Sequence, residues 1–318
     1  MATSSQPPIR IGTRASKLAL AQSGMIQRRI AQALGHADAD AEAVAPLVRI
    51  TTSGDRIQDR RLLEVGGKGL FTKEIEEALL GGRIDCAVHS LKDVPAELPA
   101  GLCIAAIPER EDARDAFLSP HAASIAALGQ GALLGTASLR RQAQALHQRP
   151  DLRLMNLRGN VDTRLAKLDR GEADAIVLAL AGLKRLGLEA RATSLIDPIA
   201  CPPAPGQGAL AIETREADRD APWVAALRDR PATLAVAAER GALAALEGSC
   251  KTAIGAHARL DGARLTLIVE ALTPDGARRF RREGEAVLGS SDAEIAARAL
   301  GVRLGEAIRA EAGDALEL

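Results

Sequence analysis

The chain has 318 residues, 47% of them hydrophobic, with 41 Lys+Arg balanced by 41 Asp+Glu, a length that suits two or three domains of ordinary size. Net neutrality, one Trp, three Phe and no Tyr argue against nucleic-acid binding, which draws on excess positive charge and stacking aromatic rings. Cys86, Cys103, Cys201 and Cys250 form no C-x-x-C or zinc spacing, no apolar run of about 18 residues occurs, and residues 1–8 are short and polar, so a cytoplasmic protein with free thiols, no metal and no membrane span is expected.

The first predicted strand is Ile9–Gly12, followed by a helix over Lys17–Leu34 that Gly35 closes. A strand follows at Leu47–Ile50. Residues 51–69 are polar and glycine-rich, too long for a tight connection, and are expected to form a mobile lid. A helix is predicted over Lys68–Leu80, then strands at Ile84–Val88 and Leu102–Ile107. Alternation resumes with a strand at Leu133–Gly135, a helix at Ser138–His147, a strand at Leu152–Leu157, a helix at Val161–Leu168, and a strand at Ala175–Leu180 leading into a short helix. Repeated strand–helix units predict parallel sheets covered by helices. Pro202, Pro203, Pro205, Gly206 and Gly208 mark a hinge or crossover. Beyond Pro231 a helix at Thr233–Ala245, two strands at Ile254–Leu260 and Leu265–Leu272 around the hairpin signal Asp261-Gly262, a third near Arg278–Arg282, and a helix at Ala293–Ala312 predict a separate α+β tail.

Arginine recurs where these strands give way to helices. In a doubly wound α/β protein that junction binds ligands, and helix N-termini there favour anions. Arg14 lies in I-G-T-R-A-S, Arg140 and Arg141 in G-T-A-S-L-R-R after Ser138, Arg158 and Arg164 in N-L-R-G-N-V-D-T-R, and Arg185 after the next strand. Residues 130–191 hold 11 Lys+Arg against 6 Asp+Glu, which points to a ligand with several carboxylates or phosphates. Each segment alone reads better as a capped helix with a surface, salt-bridged arginine; three successive strand ends favour an anion pocket. Lys92 and Asp93 fall on an irregular turn before Pro95, where Asp93 is placed to accept a ligand N–H or face positive charge; an Asx-type turn is the plainer alternative. Cys86 and His89 stand three apart on a strand, hence on opposite faces, which excludes a metal pair. Gly66-Gly67-Lys68-Gly69 does not match a phosphate-binding loop. Cys250, beside Lys251, is a candidate thiolate or a buried inert cysteine.

Together these segments resemble the porphobilinogen deaminase (hydroxymethylbilane synthase) family from about Ile9 to the final helix. The further strings that carry the resemblance are V-G-G-K-G-L-F-T-K-E-I-E, V-H-S-L-K-D-V-P, E-R-E-D-A-R-D-A-F, L-A-G-L-K-R-L-G-L, P-A-P-G-Q-G-A and L-E-G-S-C-K-T-A-I-G. The resemblance implies two periplasmic-binding-protein-like α/β domains with mainly parallel sheets, 1–110 with 209–227 and 111–208, plus a small α+β domain, 228–318. It implies a transferase, acting as a monomer, that joins four porphobilinogen molecules head to tail with loss of ammonia. The primer is a dipyrromethane cofactor held by a thioether, here matching Cys250, and water finally releases hydroxymethylbilane for haem and other tetrapyrroles. Asp93 matches the catalytic carboxylate, which also contacts the cofactor. Lys92, Ser138, Arg140, Arg141, Arg164 and Arg185 match cofactor-binding positions; Arg14, Ser16, Arg158 and Arg164 match substrate-binding positions. Glu64, Ala137 and Ser249 depart from common family residues. A non-catalytic binder of a polyanionic small molecule on the same scaffold is the competing reading, which a covalent anchor at Cys250 would exclude.

Overall fold

The computed structural model describes residues 7–56, 70–246, 252–289 and 291–316. They form two compact units: 7–56, 70–109 and 210–229 in the first, 110–209 and the described residues from 230 onward in the second. The expectations for Cys250, Lys251, Ser249, Glu64 and residues 57–69 of the lid lie outside the described residues.

The first unit is built on strands β1 (Ile11–Thr13), β2 (Leu47–Arg49), β3 (Cys86–Ser90), β4 (Leu102–Ala106) and a late strand, β10 (Leu210–Arg215), in the order β2-β1-β3-β10-β4. β1 runs parallel to β2 and β3, while β10 is antiparallel to both of its neighbours. Four of the five strands therefore point the same way. β3 is buried from Cys86 to His89, as a strand covered on both faces must be, which explains its apolar start, Cys86–Val88. Around the sheet lie α1 (Lys17–Ala33), α2 (Ala41–Val44), α3 (Ser53–Arg56), α4 (Lys73–Leu80) and α8 (Pro222–Ala225). α1 begins where the Ser16 side chain accepts a hydrogen bond from the Ala19 N–H, and it buries Ala19, Gln22, Ser23, Ile26 and Ile30 at helical spacing. The core gathers Ile11, Ile26, Ile30, Cys86, Val88, Leu210, Ile212, Val224 and Leu227.

The second unit repeats the plan. Strands β5 (Asp115–Leu118), β6 (Leu133–Gly135), β7 (Arg153–Met155), β8 (Ala175–Ala179) and β9 (Ser194–Leu195) order as β7-β6-β8-β5-β9. β6 is parallel to β7 and β8, and β5 is the single reversed strand. Helices α5 (Leu139–Gln148), α6 (Val161–Asp169) and α7 (Leu180–Arg185) follow β6, β7 and β8. Ser138 caps α5 through the Arg141 N–H, and Asn160 caps α6 through the Thr163 N–H.

The same unit contains an antiparallel meander, β11 (Ala253–Asp261), β12 (Arg264–Leu272) and β13 (Arg279–Val287), against α9 (Arg230–Leu246) and α10 (Ala293–Ala312). Leu234, Leu246, Leu265, Leu267, Val269, Phe280, Leu300, Leu304 and Ile308 fill the space between, each fully buried large side chain contributing about 1.5–3 kcal/mol. α9 and α10 approach at Gly301, where a Cβ would lie 1.9 Å from the Ala238 carbonyl oxygen, so only glycine fits.

Several boundaries differ from the sequence expectations. The strand expected at Ile84–Val88 is shifted to Cys86–Ser90, and the helix expected from Lys68 begins at Lys73. The third strand of the tail runs on to Val287. β5, β9 and β10 were not expected at all.

Candidate functional site

In each five-stranded sheet the predicted site residues collect at the carboxyl ends of adjacent parallel strands. In the first unit β1 leads to Arg14 and Ser16, and its neighbour β3 leads to Lys92 and Asp93 on a 3-10 turn, Leu91–Asp93. Leu91 and Val94 are buried and joined by a Val94 N–H to Leu91 carbonyl bond of 3.0 Å, while Lys92 and Asp93 are exposed. The turn thus anchors its apolar ends in the core and presents its two charges outward. Gln22 of α1 donates to Ser90 Oγ at 3.0 Å, tying the two junctions together.

Arg14 is half-buried. Its Nε lies 3.1 and 3.2 Å from the two oxygens of Asp55, its Nη2 also reaches that carboxylate, and its guanidinium stacks 4.2 Å from the Phe71 ring centroid. Asp55 also accepts from the Thr52 hydroxyl at 2.7 Å. Burial would raise the Asp55 carboxyl, but the bonds from Arg14 and Thr52 outweigh it and hold the group below its ordinary value.

Behind β3, His89 Nε2 lies 2.9 Å from Glu213 Oε2 of β10, both side chains almost wholly buried. Cys86 is instead packed in the core. Among the described residues no cluster of three or more His, Cys, Asp or Glu could hold a metal ion, and no helix is long and apolar enough to cross a membrane.

In the second unit Ser138, Arg140 and Arg141 follow β6, Arg158 and Arg164 follow β7, and Arg185 follows β8. The structure brings Arg140 and Arg141 together on one carboxylate. Asp115 of β5 accepts from Arg140 Nη1 at 2.8 Å, Arg141 Nη2 at 2.7 Å and Nε at 3.1 Å, and Gln207 Nε2 at 2.9 Å. All three charged side chains are 6% exposed or less. Burial would raise Asp115, yet the two guanidiniums hold its carboxyl far below the carboxylate range. One negative charge meets two positive ones at the first turn of α5, so a net positive charge adds to the helix N-terminal field.

Arg158 and Arg164 are half-buried; Arg158 lies in the turn between β7 and α6, and Arg164, in the first turn of α6, donates through Nε to the Gly159 carbonyl at 2.8 Å. Arg185 donates through Nη2 to the Gly208 carbonyl at 2.6 Å, and burial lowers its guanidinium from the ordinary value. Arg140 Nε and Arg185 Nε are buried without a hydrogen-bond partner. Buried orphan N–H groups are uncommon, and guanidinium donors suit carboxylates.

Asp55, Phe71, Asp115, Glu213 and Glu239 are the important residues that the sequence reading missed. Glu239 of α9 binds Arg110 through both carboxylate oxygens, at 2.8 and 2.9 Å, and the N–H groups of Gly206 and Ala258. Asp115 was visible within E-R-E-D-A-R-D-A-F, but nothing in the string says which arginine it meets.

In both α/β sheets the carboxyl ends of parallel strands lead to arginines whose guanidiniums are held by internal acceptors. Residues 9–222 match the family model described as "Porphobilinogen deaminase, dipyromethane cofactor binding domain", and residues 233–310 match "Porphobilinogen deaminase, C-terminal domain". The chain is 70% identical over 315 residues to porphobilinogen deaminase of Caulobacter sp. strain K31, covering 99% of both chains. It is 52% identical to that of Nitrobacter hamburgensis, covering 93% of both. Solved structures it resembles include a periplasmic substrate-binding protein of an ABC transporter from Coxiella burnetii, at 16% identity and TM-score 0.43, covering 73% of this chain and 96% of that one. A putative methionine-binding lipoprotein from Bacillus subtilis gives 11% identity and TM-score 0.42, covering 71% and 92%. The chain belongs to the porphobilinogen deaminase family.

Proposed function

We propose that Asp93 is the catalytic carboxylate and Cys250 the cofactor anchor of this deaminase. Family membership supplies the activity: condensation of four porphobilinogen molecules head to tail, with release of ammonia, and hydrolytic release of hydroxymethylbilane, on a cysteine-linked dipyrromethane. When bound, that cofactor supplies the nucleophilic α-carbon of a terminal pyrrole.

The observation that carries the assignment of Asp93 is its exposure on a turn whose two neighbours in the core, Leu91 and Val94, fix it at the carboxyl end of β3. A carboxylate held there accepts pyrrole N–H bonds. It also stabilises the positive charge that develops as porphobilinogen loses its protonated amine, and takes up or returns a proton as the ring substitution completes. Lys92 beside it suits a pyrrole acetate or propionate. Arg14 and Ser16 at the neighbouring strand end take substrate carboxylates.

In the second unit Ser138, Arg140, Arg141, Arg164 and Arg185 hold cofactor carboxylates, with Arg158 and Arg164 serving substrate. The orphan Nε groups of Arg140 and Arg185 fit that chemistry. Arg140 and Arg141 act from behind Asp115, supplying fixed positive charge as well as donors. We further infer domains of 1–110 with 209–227, 111–208 and 228–318, and a cytoplasmic monomer that engages neither nucleic acid nor membrane.

Intact-mass measurement tests the assignment. The purified protein exceeds its sequence mass by two porphobilinogen-derived units, and Cys250→Ser removes the excess. An active protein of unmodified mass would refute the cofactor anchor.

A further inference from the structure

Arg14 presents its guanidinium to Asp55 in the side-on fork that Arg uses for carboxylate ligands. Nε lies 3.1 and 3.2 Å from the two Asp55 oxygens and Nη2 closes the second contact. Asp55 is itself fixed, by the Thr52 hydroxyl at 2.7 Å and the Thr52 N–H at 3.3 Å. The guanidinium cannot easily turn away, because Phe71 stacks on it at 4.2 Å. Phe71 in turn packs on Gly54, where a Cβ would lie 2.3 Å from the ring. Both partners of the pair are only 26% exposed. An arginine meant for an external carboxylate is thus already occupied by an internal one of the same chemistry, at a site that is still partly exposed.

We propose that Asp55 is an internal rival of the substrate at Arg14, so that a porphobilinogen carboxylate binds there by exchange with the Asp55 carboxylate. The inference rests on the reading of Arg14 as a substrate-binding residue. Two carboxylates cannot share this fork: Asp55 uses Nε and Nη2, the pair of donors that forms the side-on contact. Apparent affinity is the intrinsic affinity reduced by the fraction of Arg14 that Asp55 leaves vacant. In exchange, Asp55 keeps the guanidinium oriented and stacked between turnovers, so little ordering is left for binding to accomplish.

The test compares wild-type enzyme carrying its cofactor with Asp55→Asn, which preserves size and the Thr52 bonds while removing the charge. Removing the rival lowers KM for porphobilinogen by about threefold or more, with kcat within about twofold. A purely structural Asp55 would instead raise KM or lower kcat when neutralised, and KM unchanged or raised overturns the proposal. Succinate, a simple dicarboxylate, provides a readout independent of turnover: it raises the thermal midpoint of Asp55→Asn more than that of wild type, and equal shifts overturn the rivalry. If Asp55→Asn does not fold, Thr52→Val, which deletes the hydroxyl that pins Asp55, must shift KM and the succinate response in the same direction. A wild-type enzyme that does not consume porphobilinogen would overturn the functional reading, while the succinate comparison would still decide between rivalry and a structural role.

Discussion

Asp115→Asn is the most demanding test of how the second unit holds its arginines. The carboxylate is buried, 2% exposed, and accepts four hydrogen bonds, one from Arg140, two from Arg141 and one from Gln207. Asparagine keeps the volume but offers one acceptor instead of two, and turns an NH2 group toward a guanidinium. Two buried cations are then left without a counter-charge. Breaking a buried ion pair from one side costs about 3–5 kcal/mol, and here the remaining charge is double, so a loss at the upper end is expected. Urea denaturation at pH 7 measures it. In an Arg140→Met background the same Asp115→Asn change costs less, because only one cation remains to be neutralised.

The pH dependence has a definite sign. The folded-state pKa of Asp115 is depressed, so its stabilisation is present above the unfolded value of about 3.9 and is lost as pH falls below it toward the folded value. The wild-type advantage over Asp115→Asn is therefore flat from about pH 5 to 8 and shrinks in acid. A loss below about 1 kcal/mol, or an advantage that grows on acidification, would refute the account of Asp115 as the counter-charge for both arginines.

Asp93→Ala keeps the cofactor mass while turnover falls by about 10²–10⁴-fold, the usual contribution of a positioned proton-transfer group; full activity would refute its role. The thiols give a chemical check on the fold. Burial pushes the Cys201 thiol up to about 11 and the Cys86 thiol higher still, so iodoacetamide at pH 8 leaves both unlabelled until urea is added, while half-buried Cys103 reacts first. Labelling of Cys86 in the native protein would contradict its place in the core.

Strands and helices that bury a regular apolar face were legible in the sequence, and α10 was bounded correctly at both ends. The strands that were missed are the two reversed ones, β5 and β10, and the two-residue edge strand β9. Asp115-Ala-Phe-Leu and Leu210–Arg215 are buried along most of their length yet include Asp115, Glu213 and Thr214. A charged residue inside a strand reads as surface until its partner is known, and those partners, Arg140, Arg141 and His89, lie far away in the chain. The junction arginines were legible because sharp strand-to-helix turns leave local signatures in Gly, Ser and Asn. Their acidic partners were not, since pairing across the sheet leaves no local pattern.

That difference alters the meaning of the charge count. The excess of Lys+Arg over Asp+Glu in 130–191 suggested positive charge awaiting a ligand. Part of it is already balanced by acids outside that window: Asp115 holds Arg140 and Arg141, and Glu111 holds Lys184. Such balancing offsets the desolvation penalty of several kcal/mol that a buried guanidinium carries. Arg14 follows the same rule through Asp55. On the proposed reading of these arginines, capacity for a polyanion is therefore set less by their number than by the donors that their internal partners leave over. The buried Nε of Arg140 is a donor of that kind, and the buried Nε of Arg185, whose guanidinium is held by a backbone carbonyl, is another unused donor. They point in fixed directions, because each guanidinium is anchored elsewhere, Arg140 on Asp115 and Arg185 on the Gly208 carbonyl. On the proposed reading, in which these donors meet cofactor carboxylates, an anchored donor loses little freedom on binding, so the internal acids that reduce the available charge also prepare the geometry.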